Sequence, residues 1–132
     1  MRLPLQHQAT LLLACLFLAT DALASAAGRR EINDLRVVWL EAIDSSDGRS
    51  SAALVSPEAR AVSQRVKSPS PLLVDVSTLV VYAQPGCRRL RMTIRAENAL
   101  VGRSTQRRDQ DWITEFNYCR DGSPPRTLEV RP

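Results

Sequence analysis

Arginine is the residue type whose number and placement in this sequence best suit a binding chemistry. Lys67 is the one lysine among the 18 basic residues, and all the others are arginine. The segment from Cys87 to the C-terminus holds ten basic and six acidic residues. A guanidinium is always charged, and its planar fork of N–H donors fits carboxylates and phosphates. The candidate residues for binding an anionic partner are Arg88, Arg89, Arg103, Arg107 and Arg108.

These arginines predict contact with another envelope protein or with an anionic surface, such as lipid phosphate or an acidic glycan. Nucleic acid is not expected, because no aromatic side chains interleave with the arginines to stack on bases. No cofactor is expected, since the sequence has no glycine-rich phosphate loop. The alternative interpretation is compositional. A GC-rich genome favours arginine, alanine and proline codons, which would leave an ordinary solvated loop and indicates a bacterial source.

The cysteines indicate a disulfide. The chain has three of them, and Cys15 lies in an N-terminal segment that we expect to be removed. The remaining pair, Cys87 and Cys119, is predicted to be bonded in an oxidising compartment. Their wide separation and the lack of a nearby histidine match neither CxxC redox chemistry nor a zinc site.

Histidine chemistry is not expected in the mature chain. The one histidine, His7, lies in the same N-terminal segment, which argues against Ser-His and Cys-His mechanisms and imidazole ligands. Asp109, Asp111 and Glu115 could serve a glycosidase-like site, which needs one carboxyl held neutral in an apolar pocket. Nearby arginines favour surface ion pairs instead. We therefore predict a non-enzymatic protein, with a small carboxylate-dependent envelope hydrolase as the alternative.

The N-terminus predicts a cleaved secretory signal over residues 1–27. Arg2 precedes an apolar run from Ala9 to Ala19, and small residues follow it. The run is too short to span a bilayer, which needs about 20 apolar residues. Residues 28–132 then form one periplasmic or secreted domain with no transmembrane segment. Because Leu12 to Cys15 resembles a lipobox, an envelope lipoprotein with a structural role and lipid on Cys15 is a further alternative.

Two segments of the first half show helical spacing. Apolar residues across 31–43 recur at the period of a helix, yet the run also contains good strand formers, and the period leaves both interpretations open. Residues 44–51 are predicted to form a polar loop. Ser56, followed by proline and glutamate, is typical of a helix start. The proline-rich segment 68–71 must end that helix, which predicts a helix from Pro57 to Val66.

The second half alternates with a period of two. Strands are predicted over residues 72–82, 87–95 and 112–119, with a turn at Pro85-Gly86 between the first two. One side of the first strand is expected to carry Leu72, Val74, Val76, Val80 and Tyr82. The other two strands should form a hairpin with its tip around residues 100–110.

The two hairpin strands predict their own register. If Cys87 faces Cys119, then Leu90 faces Phe116 and Ile94 faces Trp112, which makes one side apolar. On the other side Arg91 faces Glu115 and Arg95 faces Asp111, so that opposite charges pair. A slip of one residue would lose both patterns.

The predicted fold class is therefore α+β, as a small single domain. One or two short helices pack on an antiparallel β-meander of three to four strands that carries one disulfide. The tail from Arg126 to Pro132 could add a short edge strand or fray. The predicted function is that of a small exported binding or accessory protein of the cell envelope.

Overall fold

The computed structural model describes residues 28–132. Within that range the chain forms two helices and five strands, in the order β1 (Glu31–Ile32), α1 (Arg36–Asp44), β2 (Arg49–Leu54), α2 (Pro57–Arg65), β3 (Leu72–Val81), β4 (Cys87–Ala99) and β5 (Arg108–Cys119). The predicted α+β class and the Cys87–Cys119 disulfide are confirmed. The predicted signal segment, with its cleavage point and Cys15, lies outside the described residues.

The sheet is mixed and has the strand order β1-β2-β3-β4-β5. β1 is parallel to β2, with α1 as the connection, and the other neighbours are antiparallel. The prediction of three to four antiparallel strands is therefore wrong, because residues 28–132 form five strands in a mixed sheet. Residues 49–51, predicted as loop, begin β2, whose sequence Arg-Ser-Ser-Ala-Ala-Leu has little strand propensity. They are extended because they pair with β3, and strand formation depends on such neighbours.

The ambiguous segment 31–43 contains both structures. Its first two residues pair with β2, and the helix begins at Arg36, whose N–H donates to the Asp34 carboxylate at 2.9 Å. Val38, Ala42 and Ile43 are buried. The helical period identified the buried face of α1, and the strand formers within it are tolerated because burial outweighs propensity.

The second helix follows its prediction closely. The Ser56 hydroxyl accepts a hydrogen bond from the Ala59 N–H at 3.2 Å, and proline occupies the first turn. Such a cap satisfies one of the amides that a helix start leaves without an internal partner.

Both helices pack on one face of the sheet, termed the helix face. Trp39 of α1 lies over β5, with its ring centroid 5.0 Å from that of Phe116 and 5.2 Å from that of Tyr118. Trp112, predicted on the apolar side opposite Ile94, is 39% exposed and lies nearer the start of β5 than these two rings. The buried residues of this core are Ile32, Val38, Ala42, Ile43, Ala52, Leu54, Ala59, Leu72, Val74, Val76, Leu90, Ala96 and Ala99.

The opposite face, termed the open face, carries Arg89, Arg91 and Arg95 of β4 and Asp111 and Glu115 of β5. A β-bulge in the second half of β3 shifts its side chains by one position. Val80 and Tyr82 therefore pack against the Cys87–Cys119 disulfide, and the prediction that they share a face with Leu72 is wrong. The Tyr82 hydroxyl donates to the Asn117 side-chain oxygen at 2.7 Å.

The β4–β5 register is the predicted one. Cys87 lies opposite Cys119, and the ladder continues without a shift to Ala96 opposite Gln110. A bulge at Asn98, whose φ is 49°, then offsets the last pair. Both strands are longer than predicted, so the tip is the loop 100–107.

The tail adds a short pairing beside β3. Val130 forms a bridge with Tyr82, and the Arg131 N–H donates to the Val81 carbonyl at 2.9 Å. The edge-strand alternative is thus the better description of this segment, although the contact is only a bridge.

Candidate binding site

Three of the predicted arginines lie together at the loop end of the β4–β5 hairpin. Arg103 lies in the loop, Arg107 is its last residue, and Arg108 begins β5. Lys67, just after α2, joins them because Arg107 Nη1 donates to its carbonyl at 2.9 Å. All four residues are exposed. Arg103, Arg107, Arg108 and Lys67 are termed the basic end.

The loop of the basic end is fastened to its surroundings. Arg107 Nη1 also donates to the Asn98 carbonyl at 2.8 Å, so one nitrogen joins the α2 end to the β4 bulge. The Leu100 N–H donates to the Val66 carbonyl at 2.8 Å. These bonds hold the Arg107 side chain in one position, and a group that is already fixed loses less entropy when it binds a ligand.

The backbone at Lys67 makes this fastening possible. Lys67 has a left-handed conformation, with φ at 51°. Its N–H donates to the Gln64 carbonyl at 3.1 Å, and the Ser68 N–H donates to the Ser63 carbonyl at 2.9 Å. This is a Schellman ending, in which glycine is the usual left-handed residue. The Lys67 carbonyl then takes no part in the helix and accepts from Arg107.

The other two predicted residues lie at the opposite end of the hairpin. Arg88 and Arg89 directly follow Cys87 at the start of β4. About 30 Å of this strand therefore separates them from the loop. Arg88 lines a shallow depression beside residues 45–48. Arg89 lies on the open face and binds Glu115 at 3.1 Å. Arg89 is therefore already paired with a carboxylate, and the five predicted arginines do not form one cluster.

Two carboxylates of β5, Asp111 and Glu115, are bound by arginines of β4, as predicted. Arg91 Nη2 donates to Glu115 at 2.7 Å, and Arg95 donates two hydrogen bonds to Asp111 at 2.7 and 2.8 Å. The hydrogen bonds from Arg95 lower the pKa of Asp111. Those from Arg91 and then Arg89 lower the pKa of Glu115. Both carboxyls are consequently ionised at neutral pH.

A glycosidase-like mechanism needs the reverse arrangement, with one carboxyl whose pKa is raised in an apolar pocket. Asp109, the third candidate, accepts a hydrogen bond from the Asn98 N–H at 3.0 Å and supports the bulge. The geometry of these three carboxylates thus favours structural ion pairing and hydrogen bonding over acid–base catalysis.

A depression on the open face was not foreseen from the sequence. It has a volume of about 490 Å³, and its charged lining includes Arg49, Asp75 and Arg91. Arg29 binds Asp75 at 2.8 Å, and Glu115 binds Arg91. The pairing of β2 with β3 assembles this depression, and the sequence pattern held no signal for it because β2 begins in a segment that reads as loop.

Among residues 28–132, no three histidine, cysteine or acidic side chains come close enough together to hold a metal ion. Over the same range, no helix has the length and apolar character needed to cross a membrane. The disulfide is consistent with an extracytoplasmic protein, because such bonds persist in oxidising compartments. Comparison with known proteins gives no match: no family model fits the chain, and no curated protein or solved structure is significantly similar to it.

Proposed function

We propose that this protein is a non-enzymatic, exported binding or accessory protein of the cell envelope that contacts an anionic partner through the basic end. The proposal depends above all on the fastening of Arg107, which fixes a cationic loop in one position. No acidic residue occurs from Leu100 to Arg108. Exposed guanidinium groups in a fixed loop suit phosphate or carboxylate groups on a surface or on another protein.

The structure suggests how to separate charge from anchoring. Arg107 both carries charge and holds the loop, whereas Arg103 and Arg108 have no side-chain hydrogen bond among residues 28–132. The double variant Arg103→Ser/Arg108→Ser therefore removes two charges and keeps the anchor. Each basic residue near an anionic bilayer contributes about 1 kcal/mol, so the variant should bind phosphatidylglycerol vesicles roughly 30-fold more weakly at low salt.

A matched control removes two charges elsewhere. Arg60→Ser/Arg126→Ser has the same net charge, and both arginines are exposed and lie outside the basic end. Vesicle co-sedimentation and retention on an acidic polysaccharide column should distinguish the two variants at equal net charge, and the difference should shrink as salt is raised. Equal retention of the two variants on both materials would refute the assignment of the basic end.

A further inference from the structure

The outer edge of β5 has no strand partner among residues 28–132. The Cα atoms of Cys87 and Cys119 are 4.0 Å apart, the close spacing of a facing pair that exchanges no backbone hydrogen bonds. Along an antiparallel strand this type of pair recurs at every second residue. The N–H and C=O groups of Asp111, Ile113 and Glu115 therefore point away from β4. The Cys119 N–H also points away from β4, since it donates to the Ser123 carbonyl.

This edge lacks the features that usually keep edge strands apart. Residues 108–119 contain no proline, lysine or glycine, and the bulge of the hairpin lies on β4 at Asn98. The β5 carboxylates Asp111 and Glu115 are already bound by arginines of β4. Ile113 is 63% exposed. The Asp111 carbonyl accepts from the Gln110 side-chain amide at 3.1 Å, whereas the outward backbone groups of Ile113 and Glu115 have no partner among residues 28–132. A long edge strand with such unpaired backbone groups is a template for another strand.

We propose that a second copy of this chain pairs with the outer edge of β5, antiparallel and about a two-fold axis at Thr114. A two-fold interface must be complementary to itself, so the sequence of β5 decides its register. Backbone hydrogen bonds form only where residues whose N–H and C=O groups point away from β4 face residues of the same kind in the second copy. These residues occur at every second position, so the allowed registers differ by steps of two residues.

The helix face supports the register centred on Thr114. In that register Trp112 of one copy faces Phe116 of the other, and the reverse contact is made on the other side of the axis. Trp112 is 39% exposed in the single chain and would gain an aromatic neighbour. Cross-strand aromatic pairs contribute to sheet pairing. The two Thr114 residues face each other at the axis.

The open face selects the same register by charge. With the axis at Thr114, Ile113 faces Glu115 of the second copy, and Asp111 faces Asn117 of the second copy. Asn117 lies beside Arg89 in its own hairpin, so a cation is close to each Asp111. A shift of two residues in one direction sets Asp111 against Glu115, and a shift in the other sets Glu115 against itself. Facing like charges destabilise a sheet.

The register can be tested with a single cysteine. The full-length protein should be expressed in a secreting host and purified with its native disulfide formed. Thr114→Cys places two thiols across the axis at a non-hydrogen-bonded position and should give a covalent dimer on mild oxidation. Ile113 is also exposed on the same strand, but it faces Glu115 of the second copy, so Ile113→Cys should cross-link at least about tenfold more slowly.

The backbone pairing can be tested at the same edge. Ile113→Pro removes an outward N–H and spares the β4–β5 ladder, whereas Ile113→Thr keeps that N–H. Two hydrogen bonds are lost per dimer, so Ile113→Pro should raise the dissociation constant about tenfold or more, as measured by sedimentation across a concentration series. Far-UV circular dichroism and an intact Cys87–Cys119 bond would show that the variant is folded.

Three results would overturn the proposal. The first is that the protein stays monomeric at about millimolar concentration, at which even a weak dimer with a millimolar dissociation constant would form. The second is a dimer that is equally stable in the Ile113→Pro and Ile113→Thr proteins. The third is preferential cross-linking of Ile113→Cys. Because no residue of the basic end is changed, these outcomes are independent of the proposed anion binding.

Discussion

Arg95 holds Asp111 in a bidentate contact, with Nε donating to one carboxylate oxygen at 2.7 Å and Nη2 donating to the other at 2.8 Å. The two residues are directly opposite on β4 and β5. Their side chains are 44% and 34% exposed, so water screens much of the attraction. The contact therefore contributes more to register than to total stability.

Replacing Arg95 with glutamine should lower the free energy of unfolding by about 0.5 kcal/mol at neutral pH, within the range for cross-strand ion pairs. Arg95 lowers the pKa of Asp111 in the folded protein. A lowered carboxyl pKa stabilises the fold above the ordinary aspartate pKa, and this stabilisation is lost as pH falls through the folded value. The difference from the parent protein should thus shrink as the pH falls below the ordinary aspartate pKa.

Urea unfolding at neutral pH and in a series of increasingly acidic buffers measures this difference. Arg36→Gln is the control, because Arg36 is exposed and its side chain has no hydrogen bond among residues 28–132. A difference for Arg95→Gln that is as large at low pH as at neutral pH would show that Asp111 is not its source.

The disulfide should be the largest single contribution to stability. Cys87 and Cys119 are 32 positions apart, and closing a loop of that length stabilises a protein by about 3 to 4 kcal/mol through the entropy of the unfolded chain. The variant Cys87→Ala/Cys119→Ala should lose about this amount in urea unfolding. The reduced parent protein should behave similarly. A loss below about 1 kcal/mol would mean that the unfolded chain is already compact there.

The hairpin could be predicted from sequence because several signals coincide in it. Alternation, opposite charges and the cysteines each select the same pairing, and the structure shows it at Cys87, Arg91 and Arg95. The helix at Pro57 was predictable for a similar reason, since its cap and first turn are local. Where one element carries its own signals, no knowledge of the partner is needed.

Other features depended on partners that the sequence does not reveal. β2 is extended because β3 pairs with it. The bulge in β3 moves Val80 and Tyr82 to the other face of the sheet, although apolar residues still alternate in the sequence at these positions. The basic end was predicted at its arginines, yet Lys67 was missed as a member. Its contribution arises from a left-handed turn at a residue other than glycine, which no local sequence pattern predicts.

Lys67→Gly should stabilise the protein. A side chain in the left-handed conformation costs about 1 kcal/mol, and glycine avoids that cost at the end of a helix. Thermal and urea unfolding should show a gain of about 0.5 to 1 kcal/mol. Lys67→Ala removes the amine but keeps the Cβ atom, so it should show no comparable gain. Equal effects of the two substitutions would attribute the change to charge.

Two glycines with the same backbone conformation separate strain from crowding. Gly48 and Gly102 have φ of 67° and 66°, but a Cβ at Gly48 would lie 2.9 Å from the Thr78 Cβ, whereas nothing lies within 4 Å of one at Gly102. The Thr78 N–H donates to the Gly48 carbonyl at 2.7 Å, which keeps the two backbones close.

Gly102→Ala should therefore cost about 1 kcal/mol, from the left-handed backbone alone. Gly48→Ala should cost about 1 to 3 kcal/mol more, because the β2–β3 contact must open to admit a methyl group. Urea unfolding of both variants measures the difference. Thr78→Gly removes the Cβ and hydroxyl that the new methyl group would meet, so the cost of Gly48→Ala should be smaller when it is measured in the Thr78→Gly background. Equal costs at the two glycines would show that the turn before β2 yields to the added methyl group, and that its close approach to Thr78 does not fix the position of β2.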